Sequence, residues 1–219
     1  MTLVWVGSPN FQKGREGLPP TDIVLHWMDG PLRSADATFL NRTSEVSAHY
    51  GIENRVEHHY VHDADTAWHA GTHVENLKSI GIEHSAQPGR PASAQTITTS
   101  VNRMVTLIRA NPTLSADRIY PHKRFVATQC PGTIPIAAMI ARVKAILNPP
   151  HPYLGLTQLG SSGSIVKQVQ TRLNLYGYHL IADGTFGPKT VSAVRGFQTA
   201  HHLTVDGKVG PATWSRLWA

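Results

Sequence analysis

The stretch HKRFVATQC, residues 122–130, contains the only cysteine of a 219-residue chain, with His122 eight positions before it and Pro131-Gly132 directly after. A thiolate serves as nucleophile or as metal ligand, and the two uses want different surroundings. A nucleophilic cysteine usually sits where a helix N-terminus or a cation lowers its pKa, whereas Cys130 runs into a Pro-Gly turn. Zinc sites that do chemistry take three protein ligands of the His, Cys, Asp or Glu type and keep a fourth position open; structural sites more usually close with four. His122 and Cys130 can supply two donors and His26 a third. Such an open set suits metal-assisted hydrolysis.

Residues of that kind need rigid supports. DIVLHW at 22–27 is a short apolar run suited to a buried strand, VSAHYGI at 46–52 alternates, and SIGIEHS at 79–85 reads as another strand. Ile97, Val101, Met104, Val105 and Ile108 make a helical stripe, as do Ile136, Ile140, Val143 and Leu147. An α/β fold is expected, with a central mixed β-sheet flanked by helices. His26, His49 and Glu83 fall within or at the ends of these strands, where a side chain is held firmly yet faces loops. Taken singly, each reads more readily as an ordinary hydrogen-bonded or solvent-facing side chain.

Taken together, the pieces IVLHW, VSAHYGI, TAWHAG, SIGIEHS and HKRFVATQCPG, in that order over roughly residues 20–147, resemble the zinc-dependent N-acetylmuramoyl-L-alanine amidases of type 2. The resemblance implies zinc held by His26, His122 and Cys130, Glu83 as the acid that activates water, and Thr128 as a donor to the developing oxyanion. It places Trp68 and His69 beside a substrate groove. Two departures stand out: Pro121-His122-Lys123-Arg124 replaces a common Gly-His-Arg-Asp, and Ala48 stands where phage members carry a tyrosine. The second leaves proton transfer to Glu83.

The texture changes at ILNPPHPYLGLTQLGSSGS, residues 146–164, where three prolines and then a Gly/Ser cluster interrupt the periodic patterns. A boundary follows: a catalytic domain over 1–147, a linker over 148–160 and a small all-α domain over 161–219. Behind the boundary, ADGTFGPKT (182–190) and VDGKVGPAT (205–213) repeat Asp-Gly-x-x-Gly-Pro-x-Thr at an offset of 23 residues. Asp-Gly makes a tight turn and proline suits the first turn of a helix, so each copy launches one. Val191, Val194 and Phe197, then Trp214, Leu217 and Trp218, and earlier Val166, Val169 and Leu173, supply three apolar faces. VKQVQTRLNLYGY, DGTFGPKTVSAVRGFQ and VDGKVGPATWSRL resemble the three-helix peptidoglycan-binding module, which implies a wall polymer as ligand.

Composition sets the outer bounds. A hydrophobic fraction of 41% and a charged fraction of 16% suit a folded globular chain rather than disorder. No apolar run reaches the roughly 18 residues a membrane span needs, and a single cysteine makes no internal disulfide. A net charge of +6 favours polyanionic partners. The basic residues are scattered, without a basic helix or aromatic interleaving, so bacterial peptidoglycan is expected rather than nucleic acid. MTLVWVGSPNF does not read as a secretory signal, so the expectation is a monomer that stays in a host cytoplasm until release to the cell wall, as a phage endolysin would. Two other functions remain open at this level: a wall peptidase with Cys130 as nucleophile, and a protein that recognises peptidoglycan without cutting it.

Overall fold

The computed structural model describes residues 2–147 and 151–218 and divides into two compact units, 1–147 and 148–219. The first is built on a six-stranded mixed sheet of β1 (Thr2–Trp5), β3 (Asp22–Trp27), β4 (Tyr50–Glu53), β5 (Val56–His59), β7 (Ser79–His84) and β8 (Ile119–Pro121). Their spatial order is β1-β5-β4-β7-β3-β8, and only the β4/β5 pair is antiparallel. Two short strands, β2 (Phe11–Gln12) and β6 (Thr66–Ala67), form a separate antiparallel pair. Four helices accompany the sheet: α1 (Leu32–Leu40), α2 (His73–Lys78), α3 (Ala94–Ala110) and α4 (Ile136–Leu147).

Side chains alternate across a strand, and that period separates core from site. Ile23 and Leu25 of β3 and Ile80 and Ile82 of β7 join Val101 and Met104 of α3 and Met139 and Val143 of α4 in the main hydrophobic cluster. The alternate positions, Val24 and His26 on β3 and Gly81 and Glu83 on β7, belong to the opposite face. Parallel register sets His26 beside Glu83 and Glu83 beside Gly51. Glycine is needed at both of its positions on this face: a Cβ on Gly51 would lie 2.9 Å from Leu32 and Tyr60, and one on Gly81 would lie 2.6 Å from the His69 ring. Helix α3 is opened by Ser93, whose hydroxyl accepts from the Thr96 N–H. The run 46–52 is strand only from Tyr50 onward. Before it, Ser47 turns its N–H to the Trp68 carbonyl and so leaves the main ladder.

In the second unit α5 (Ser164–Leu175), α6 (Pro188–Ala200) and α7 (Pro211–Leu217) enclose Val166, Val169, Leu173, Phe186, Val194, Phe197, Val209, Trp214 and Leu217. Pro188 and Pro211 each open a helix after an Asp-Gly loop. A buried glutamine clamps each loop. Gln170 Nε2 lies within hydrogen-bond distance of Asp183, the Thr185 carbonyl and Thr190, to which its two N–H groups donate between them, and Oε1 accepts from the Gly184 N–H; Gln198 does the same with Asp206, the Lys208 carbonyl, Thr213 and the Gly207 N–H. Leucine at 198 would strand the buried Gly207 N–H and its neighbours, each at about 1–3 kcal/mol. Gln198→Leu is expected to cost the second unit about 2–4 kcal/mol, read from denaturant unfolding followed by tryptophan fluorescence.

The linker expected over 148–160 needs correction where it is described. Residues 148–150 lie outside the described residues, but Thr157 exchanges both backbone bonds with Val209, and the Gly160 N–H donates to the Phe186 carbonyl. The Trp214 indole N–H also donates to the His151 carbonyl. The Asp-Gly loops leave backbone groups that this Gly/Ser segment satisfies, so it packs as part of the unit. Among the described residues no helix is long and apolar enough to cross a membrane.

Candidate metal centre

His26 lies near the end of β3 and is 2% exposed. Its Nδ1 stands 3.8 Å from Cys130 Sγ. His122 opens a single 3-10 turn directly after β8, with its ring centroid 4.4 Å from that of His26. The donor atoms of His26, His122 and Cys130 all lie within 4.8 Å of one another, a spacing that small side-chain adjustments close onto one ion with bonds of about 2.0–2.3 Å. His122 Nε2 is buried without a hydrogen-bond partner among the described residues. Two neutral imidazoles and one thiol form a borderline-soft, nitrogen- and sulfur-rich donor set that fits zinc.

The loop carrying Cys130 is tied down by its own backbone. The Lys123 N–H donates to the Cys130 carbonyl, the Cys130 N–H donates to Thr128 Oγ1 at 3.1 Å, and the Gly132 N–H donates to the Gln129 carbonyl. Gly132 has φ +60° and lies against the Trp27 ring, where any Cβ would come within 2.1 Å. The turn after the cysteine therefore needs glycine for both conformation and space. The Trp27 N–H reaches back to Cys130 Sγ at 3.4 Å. Burial, with the Glu83 charge adding, pushes the Cys130 thiol up to about 12, so without a cation it stays protonated and a poor nucleophile.

Glu83 sits one strand over from His26 on the same face. Its Oε2 is buried without a hydrogen-bond partner among the described residues, and burial pushes the carboxyl up to about 8. Thr128 is half-buried, and because its oxygen accepts from the Cys130 N–H, its own proton is free to donate. These groups line a cavity of about 330 Å³ walled by Trp27, Phe39, Val46 and Trp68. His69 is 9% exposed, and its ring nitrogens are engaged with His26 and Ser79. The structure thus sets both Trp68 and His69 in the lining of the cavity, with the ring nitrogens of His69 turned to His26 and Ser79.

Sequence reasoning missed two supports. His84 turns its Nδ1 to the His26 carbonyl at 2.6 Å and its Nε2 to Ser100 at 2.7 Å, bracing the strand end from the helix side. Arg15, buried in what reads as a solvated Lys-Gly-Arg-Glu-Gly loop, donates to the carbonyls of Asp63, Leu77 and Ser79 and lies 2.8 Å from His49. An isolated arginine between glycines carries no sequence signal for burial. His49 itself is fully enclosed, its Nδ1 accepting from the Gly81 N–H.

Burial holds His26, His49, His69 and His84 below the ordinary imidazole range, to about 3 for His69 and about 4 for His84. The unfolded chain takes up protons near pH 6.5 while the folded chain does not, so stability is full above that pH and is lost as pH falls toward the folded values. Metal-free protein is expected to lose about 1.4 kcal/mol per pH unit for each of His69 and His84 between about pH 6.5 and 4. Thermal midpoints measured across that range check the slope.

A family model described as N-acetylmuramoyl-L-alanine amidase matches residues 16–133, and one described as a putative peptidoglycan binding domain matches residues 162–217. The chain is 28% identical over 214 residues to a probable N-acetylmuramoyl-L-alanine amidase of Bacillus licheniformis, covering 80% of this chain and 60% of that protein. It is 24% identical over 213 residues to N-acetylmuramoyl-L-alanine amidase CwlH of Bacillus subtilis (strain 168), covering 83% and 82%. A solved mutant endolysin from Bacillus subtilis shares the fold with a TM-score of 0.57 at 19% identity, over 65% of this chain and 99% of that one.

Proposed function

Because this chain belongs to the N-acetylmuramoyl-L-alanine amidase family, we propose that it hydrolyses the amide joining the lactyl group of N-acetylmuramic acid to the L-alanine of the peptidoglycan stem peptide. The observation that carries this is the triangle of His26, His122 and Cys130 with the Glu83 carboxyl on the adjacent strand, all lining one cavity. Those three side chains would hold zinc. Zinc in such a set would act as a Lewis acid, polarising a carbonyl and lowering the pKa of water to about 7.

The chain's own residues do the rest. Glu83, in its ionised form, takes the proton of the attacking water and passes it to the departing amine. Its confinement among strand neighbours keeps the carboxyl aimed into the cavity. Thr128 donates its hydroxyl proton to the carbonyl oxygen as negative charge grows there, a contact worth about 2.7–4 kcal/mol per donor in other hydrolases. Trp27 and Trp68 give the cavity apolar walls that orient the substrate and limit water. The 161–219 region, with its match to a peptidoglycan-binding family, holds the enzyme on the polymer and raises the local substrate concentration. We place the protein as a phage endolysin, kept in the host cytoplasm until it reaches the wall. A cysteine-nucleophile mechanism is disfavoured by the buried, high-pKa thiol, and a binding-only role by retention of all three donors.

The test is digestion of purified peptidoglycan by the full chain. New amino groups without new reducing sugars support the amidase. New reducing ends mean glycan cleavage, and wall binding with neither product means recognition alone; both overturn it. Removing residues 148–219 is expected to spare hydrolysis of a small soluble muramoyl peptide while lowering clearing of intact walls by about 10²-fold or more, as measured by turbidity against a soluble-substrate assay.

A further inference from the structure

The hydrogen bonds behind His26 decide which of its nitrogens carries the proton. Ser79 Oγ contacts the Glu75 carbonyl. A carbonyl only accepts, so the single Ser79 hydroxyl proton is committed there. Toward His69 the same oxygen can then only accept, and His69 Nε2, 3.3 Å away, must carry its proton. Among the described residues neither ring nitrogen of His69 meets a carboxylate, so the buried ring is neutral and its Nδ1 is a lone pair. That lone pair faces His26 Nε2 at 3.1 Å, which places the His26 proton on Nε2. His26 Nδ1, the atom facing Cys130 Sγ, is left as a lone pair.

The His69 backbone is anchored and its ring is given room by two neighbours. Asn76 Oδ1 accepts from the backbone N–H groups of both His69 and Ala70, at 3.0 and 2.7 Å. Below the ring, Gly81 leaves the space that a Cβ would fill, 2.6 Å from His69 Cγ.

We propose that His69 is a positioning residue which, through the chain Glu75 carbonyl, Ser79, His69, His26, fixes the His26 tautomer so that Nδ1 is available to a metal. The proposal rests on the metal-centre reading above. It adds ligand orientation to the place His69 already has in the cavity lining. It also gives glycine at 81 a role in metal affinity, although that residue touches no metal donor.

Histidine nitrogen NMR on the metal-free, otherwise unaltered full chain is expected to show His26 protonated at Nε2 only. A proton on Nδ1, or exchange between both tautomers, overturns the proposal. By competition with a chelator, His69→Leu is expected to weaken zinc binding by about 10–100-fold. His69→Asn, whose Oδ1 can replace the Nδ1 acceptor, is expected to regain most of that loss, and Gly81→Ala to weaken binding by displacing the ring. Undiminished affinity in folded His69→Leu, or an Asn variant as weak as Leu, overturns it. If His69→Leu does not fold, the tautomer measurement and the Asn variant decide. Failure of the parent chain to bind zinc instead removes the metal reading, and the NMR result on His26 stands apart from it.

Discussion

Cys130→Ser is expected to lose zinc and, with it, nearly all hydrolysis. The thiol is 8% exposed, and its Sγ faces His26 Nδ1 at 3.8 Å with the Trp27 N–H on its other side. A thiolate is both charged and soft, and a bound dication deprotonates it outright despite a resting pKa near 12. A serine hydroxyl stays neutral at any working pH and is not among the usual zinc donors. Since disturbing a residue that only orients a ligand already costs about 10–100-fold in metal affinity, losing a ligand is expected to cost more than about 100-fold. The measurement is zinc content after dialysis together with amino-group release from walls. Cys130→Asp separates this role from a nucleophilic one: it retains an anionic ligand and is expected to keep measurable zinc and residual activity, whereas a nucleophile replaced by aspartate would leave none.

Glu83→Gln is expected to keep zinc and lose turnover by about 10²–10⁴-fold, the range for removal of a general acid or base. The substitution preserves the shape of the side chain on β7 and removes only its ability to take and return a proton. Because Glu83 is paired with His26 across the β3/β7 register but is not one of the three clustered donors, zinc content and the thermal midpoint are expected to stay near those of the parent. Turnover within a few-fold of the parent would mean that another group handles the proton. Zinc lost in parallel would mean that Glu83 acts on the metal site itself. The pair of variants thus separates holding the metal from using it.

Local periodicity carried much of the fold. DIVLHW is strand over its whole length, SIGIEHS is strand from Ser79 to His84, and its alternation of Ile with Gly and Glu sorts one face to the core and one to the cavity. The stripes from Ile97 and from Ile136 became α3 and α4. The Asp-Gly-x-x-Gly-Pro repeat launches α6 and α7, since turn chemistry and proline's fixed φ act within a few residues. VSAHYGI was legible only in its second half. Its first half bonds to Trp68, and alternation cannot register a partner that far along the chain.

By itself the sequence determined the inventory: which residues can donate to a metal, which turns must bend, and which faces are apolar. The tertiary structure decided who meets whom. His26 and Cys130 are 104 positions apart, and His26 and His69 are 43 apart. They come together because parallel strand register sets β3, β7 and β8 side by side and because glycine at 51 and 81 leaves room on one face of the sheet. The same holds for Gln170 and Gln198, whose clamps on distant loops look in the sequence like two surface residues of a helix. Side-chain type and short-range sterics are written locally; register, burial and the direction of a hydrogen-bond chain exist only once the chain has closed on itself.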